Sequence, residues 1–128
     1  GDNSFTKGDK TYSLGYENKV YGDNNLVFGL NNTIGEEKNL VNNNIVLGSN
    51  ITINGISNAI VFGDKSTAVE GAVSIGYKDH ERQIKFVAEG KEDTDAVNVA
   101  QLKAMRSYVD NKVTLKAGKS AYSRHRVQ

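Results

Sequence analysis

Glycine recurs at a fixed interval in this chain: Gly1, Gly8, Gly15, Gly22 and Gly29 stand seven residues apart. A larger unit continues beyond them. A short apolar run closed by glycine appears as Tyr12-Ser13-Leu14-Gly15, Leu26-Val27-Phe28-Gly29, Ile45-Val46-Leu47-Gly48, Ile60-Val61-Phe62-Gly63 and Val73-Ser74-Ile75-Gly76. The steps between these closing glycines are 14, 19, 15 and 13 residues. Five residues after each of the first four comes a second apolar position, occupied by Val20, Ile34, Ile53 and Ala68. Matching units at so short a period predict a solenoid.

Each run is rich in β-branched and aromatic residues and too short for a helix, so it reads as a brief strand. Glycine and Asn/Asp beside it supply the positive-φ corners of a tight coil. Side chains alternate faces along a strand. Leu14, Phe28, Leu47, Phe62 and Ile75 therefore share a face with Tyr12, Leu26, Ile45, Ile60 and Val73, and this face is expected to fill the coil interior. Val27, Val46 and Val61 lie on the opposite face. A bare valine ladder would be an exposed apolar stripe, so these three are expected at a contact between subunits. Apolar residues make up only 38% of the chain, and a thin coil with so little to bury is marginal alone.

The 19-residue step carries five residues more than the 14-residue step. The surplus falls within 35–44, and solenoids place insertions as loops, often on a binding face. Glu36, Glu37, Lys38, Asn39, Leu40, Val41 and Asn42 are thus candidate ligand-binding residues. The alternative is a neutral length change in which Leu40 and Val41 extend the core.

Composition shifts near residues 77–82: thirteen asparagines fall at or before Asn58, and only Asn98 and Asn111 follow. Residues 82–90 read as a short strand ending in a turn. Thr94 or Asp95 is placed to cap a helix start, and Asp93, Asp95 and Asn98 are expected to be structural, satisfying backbone donors there. Beyond them Val99, Leu102, Arg106, Val109 and Val113 are spaced 3, 4, 3 and 4. That is a heptad seam, and Val99, Leu102, Val109 and Val113 are expected at an interface between chains.

The string D-T-D-A-V-N-V-A-Q-L-K at 93–103, preceded by R-Q-I and V-A-E-G, closely resembles the neck of YadA-like trimeric autotransporter adhesins. The glycine-ended repeats resemble that family's head. The resemblance implies a mainly β chain: a left-handed parallel β-roll head over 1–80, a neck over 81–103, and the start of a trimeric coiled-coil stalk over 104–116. Residues 117–128 stay unassigned. It further implies a homotrimer on the bacterial cell surface, exposed from the outer membrane, with membrane contact only through a C-terminal anchor outside this sequence. The implied function is non-catalytic attachment to a host cell-surface receptor or extracellular matrix protein. A structural spacer or self-associating module is the alternative. Two departures stand out. Lys85-Phe86 occupies a place where the neck pattern has a small polar pair. The bulky residues of the 45–48 and 60–63 runs argue against collagen binding.

Chemistry has few candidates. The chain has no cysteine, which removes disulfides, thiol nucleophiles and cysteine-ligated metals. His80 and His125 are its two histidines, and neither sits in a metal-binding spacing. Asp93 and Asp95 beside a helix start read as capping groups rather than as an acid–base pair. A formal net charge of +1 gives no field for nucleic acid. No catalytic residue, metal or cofactor is expected.

Overall fold

The computed structural model describes residues 1–118, so the 117–128 tail, with His125, lies outside the described residues from position 119 onward. The chain divides into two compact units, Gly1–Arg82 and Gln83–Gln128. It is mainly β, with parallel sheets and one C-terminal helix.

The first unit is built of nine short strands: β1 (Phe5–Lys7), β2 (Tyr12–Tyr16), β3 (Lys19–Tyr21), β4 (Leu26–Leu30), β5 (Thr33–Ile34), β6 (Ile45–Ser49), β7 (Thr52–Ile53), β8 (Ile60–Phe62) and β9 (Val73–Ser74). Up to β8 successive strands alternate between two sheets, ordered β1-β3-β5-β7 and β2-β4-β6-β8-β9. All pairing between these strands is parallel. The register follows the repeat: Gly15 pairs with Gly29 and Gly29 with Gly48, while Val46 pairs with Val61. The extra residues before β6 leave it in step with β4.

Alternation holds, but the two faces of the five-stranded sheet are exchanged relative to expectation. Val27, Val46 and Val61 are buried to 0%, 1% and 0% exposure within the single chain. They pack in one core with Val20, Ile34 and Ile53 of the other sheet. They are therefore interior residues and not a subunit contact. Leu14, Leu26, Phe28, Ile45, Leu47 and Phe62, expected inside, are exposed. The physical reason is thickness. Sheets this close leave room for valine and isoleucine on the inner face, while leucine and phenylalanine are accommodated outside.

Close stacking also explains the glycines. A Cβ on Gly15 would stand 1.8 Å from the carbonyl oxygen of Gly29, and one on Gly29 would stand 1.6 Å from that of Gly48. The corners between strands use left-handed backbone. Asn24, Asn31, Asn43, Asn50 and Asn58 all have φ between 54° and 60°, a region that asparagine enters more readily than most residues.

The second unit carries α1 (Val99–Gly118). Residues 83–89 form no strand, which corrects the reading of 82–90, because no segment among the described residues offers them a ladder. The helix begins later than Thr94 or Asp95. Asn98 is its cap: its Oδ1 accepts the Gln101 N–H at 3.1 Å, and Gln101 Oε1 accepts the Asn98 N–H at 3.2 Å. This reciprocal pair is a capping box with amide side chains at both ends.

Candidate functional site

Three surfaces are candidates for recognition, and each is set by the local fold. The first is the insertion. Glu36 and Asn39 exchange backbone hydrogen bonds at 3.1 and 3.0 Å, closing a tight turn that places Glu37, Lys38 and Leu40 in solvent. Lys7 Nζ reaches Glu37 Oε1 at 3.2 Å, with both side chains exposed. Such a surface pair adds about 0–1 kcal/mol at most, so the turn's own hydrogen bonds fix the loop. Of the residues expected to bind ligand, Val41 is instead committed to the core, and Asn42 is held by a backbone contact. Val41 is 1% exposed in the core, and its N–H donates to the Tyr21 carbonyl. Asn42 is exposed, but its Oδ1 accepts the Asp23 N–H at 2.8 Å. Chain returning to the register of β6 needs an inward apolar residue, and Val41 supplies it.

The second surface is the outer face of β2, β4, β6 and β8. Leu26 and Leu47 are each 51% exposed, with Leu14, Phe28, Ile45 and Phe62 beside them. Their parallel pairing stacks like upon like: Leu14 beside Phe28, Phe28 beside Leu47, and Leu47 beside Phe62. A contiguous apolar patch of this kind marks an interaction surface.

The third is the neck. Asn98 Nδ2 donates to the Val87 carbonyl at 3.0 Å. Gln101 holds Gly90 from both sides, accepting its N–H and donating to its carbonyl, each at 2.9 Å. One Asp95 carboxylate oxygen accepts the N–H groups of Lys91 and Glu92 at 3.0 and 2.9 Å. These two backbone bonds, from Glu92 first and then Lys91, lower the Asp95 pKa below its ordinary value. Asp93 makes no side-chain hydrogen bond among the described residues. On α1, Val99, Leu102, Val109 and Val113 are exposed in the single chain.

Several structural residues carried signals that the sequence reading did not use. Asn18, Asn25 and Asn32 each follow a glycine of the seven-residue series by three, and all are fully buried. With Asn44 they bridge neighbouring turns. Asn25 Oδ1 accepts the Asn44 N–H, and Asn44 Oδ1 accepts the Ala59 N–H, both at 3.0 Å. Arg82 closes the last turn, donating from Nη1 to Ser66 Oγ and the Ile75 carbonyl and from Nη2 to the Asp64 carbonyl.

His80 is exposed and stacks on Tyr77 with ring centroids 4.6 Å apart. No group of three or more His, Cys, Asp or Glu able to hold a metal ion occurs among the described residues. Among them, no helix is long and apolar enough to cross a membrane.

Residues 83–124 match the family model described as the coiled stalk of trimeric autotransporter adhesin. The stretch contains the Asn98–Gln101 cap and all of α1. Over this stretch the chain is similar to the stalks of YadA-like trimeric autotransporter adhesins. The autotransporter adhesin BadA of Bartonella henselae is 59% identical over 44 residues, covering 33% of this chain and 1% of that protein. The autotransporter adhesin EhaG of Escherichia coli O157:H7 is 38% identical over 85 residues, covering 52% of this chain and 5% of its own length. The chain thus spans a small fraction of the YadA-like proteins it matches.

Proposed function

We propose that this chain forms the head, neck and first stalk turns of a homotrimeric, non-catalytic surface adhesin that attaches bacteria to a host receptor or matrix protein. In this reading residues 1–80 are a left-handed β-roll, and three rolls pack side by side about the outer face of β2, β4, β6 and β8. The observation that carries the trimer is that face: aligned leucines and phenylalanines on a chain already folded around its own valines need a partner of equal length and regular spacing. A second and third copy of the same solenoid supply it. Val99, Leu102, Val109 and Val113 continue the assembly as a three-stranded seam. The matches to adhesins support attachment as the role.

With one face enclosed, the insertion turn offers Glu36, Glu37, Lys38, Asn39 and Leu40 to a ligand, repeated three times at one height. Weak single contacts then act together through avidity. The proposed location is the outer surface of a bacterium, beyond the outer membrane.

Purified trimer applied to an array of human extracellular proteins tests the function. Saturable binding at submicromolar concentration that weakens when residues 36–40 are shortened is the expected result. Self-association with no host binding would favour a spacer or autoaggregation role instead.

A further inference from the structure

Phe86 is held at φ 59°, and its side chain is 104% exposed. For a bulky aromatic residue the left-handed region is an outlier, one that lasts only where the surroundings impose it. Nothing among the described residues of its own chain covers the ring. Beside it lies an open groove of about 580 Å³ lined by Ile84, Phe86, Val87, Val97, Val99 and Ala100 together with a few polar residues. Ile84, Val97 and Val99 are themselves exposed. One short segment therefore presents both an apolar knob and an apolar hollow.

We infer that Phe86 is an anchor between chains: its ring seats in the groove of the next copy, against Ile84, Val97 and Val99. The inference rests on the homotrimer proposed above and adds a residue-level contact to it. A knob on one patch that fits a hollow on another makes a head-to-tail contact, and such contacts close into a ring when the rotation allows. A three-stranded coil imposes that rotation here. Val99 and Ala100 are the first residues of α1, so the groove runs directly into the helical seam. Knob, groove and helix all lie inside the stretch that matches the coiled stalk of trimeric adhesins. An aromatic ring enclosed in this way removes about 150–250 Å² from water. Burial between chains is what offsets the unfavourable backbone.

Phe86→Asn in the full chain separates the anchor from a merely strained residue, because asparagine enters the left-handed region more easily. If Phe86 does nothing across chains, the substitution relieves strain and the melting temperature rises or stays. An anchor predicts the opposite: a fall of several degrees and a trimer that dissociates at a concentration at least tenfold higher. A benzophenone side chain at position 86 gives a second reading. Irradiation should yield linked dimers and trimers, with the adduct at Ile84, Val97 or Val99 of another copy. Native mass of three chains with adducts only inside one chain, or only with an added host protein, would overturn the anchor and leave the trimer standing. A native mass of one chain would overturn both.

Discussion

Asn18 Oδ1 accepts two hydrogen bonds from Asn32 one turn further along, from its backbone N–H at 3.1 Å and from its side-chain amide at 3.0 Å. Both residues are fully buried. Asn18 Nδ2 donates onward to the Gly29 carbonyl at 2.8 Å, while Asn32 Oδ1 accepts the Ile51 N–H at 3.0 Å. Corner amides thus take the place that a ladder partner would fill between strands, and no buried side-chain polar atom among the described residues is left without a partner.

Asn32→Ile tests this ladder. The next turn already carries Ile51 at the matching corner, so an isoleucine fits the shape of the site. What it cannot do is accept the Ile51 N–H. A buried donor left unpaired costs about 1–3 kcal/mol, and denaturant unfolding should show a loss in that range with an unchanged slope.

The glycine column predicts a contrast between two substitutions. Gly29→Ala puts a methyl group against the Gly48 carbonyl, at backbone φ 150°. Gly71 has φ 74° but nothing within 4 Å of an added Cβ. Alanine at 29 should cost at least the upper part of the roughly 1–3 kcal/mol typical of overpacking. Alanine at 71 should cost about 1–2 kcal/mol from its left-handed backbone alone. Thermal melts of the two variants decide it, and equal losses would mean that the turns can move apart.

Strand positions and register in the first unit were legible because they rest on a local pattern, a glycine closing each run. The neck cap was misplaced at Thr94 or Asp95, although an asparagine three residues before a glutamine marks it. The direction of the faces was not legible. Leu47 and Val46 are both apolar, and period two says only that they point opposite ways. Which one turns inward depends on the distance between the two sheets, a tertiary quantity that no single strand encodes. Volume held the clue, since the smaller member of each pair is the inner one. The insertion was located correctly, but the return of Val41 to the core follows from its hydrogen bond to Tyr21, which lies a full turn away.

Charge substitutions on adjacent residues should separate folding from assembly. Val46→Asp places a carboxylate in the core and should unfold the first unit, with loss of β circular dichroism. Leu47→Asp places it on the outer face. The proposed trimer then predicts smaller assemblies with the β signal retained. If both variants lose structure alike, the outer face is serving the single chain rather than its neighbours.

Asp95 predicts an acid-sensitive neck. Its pKa in the folded chain lies below the ordinary 3.8, so its contribution is fully present above that value and is lost as pH falls through the lower folded pKa. An NMR titration of the carboxylate should place its midpoint below 3.8. Asp95→Asn should leave a melting temperature that no longer falls through this window on account of the turn.

Native mass by light scattering at micromolar concentration tests the trimer most directly, because the apolar outer face, the seam on α1 and the repeated insertion turn acquire their proposed roles only in an assembly. About three times the 13.9 kDa chain mass is the predicted result. A single sharp species at 13.9 kDa, stable with Leu26, Phe28 and Leu47 in water, would contradict it.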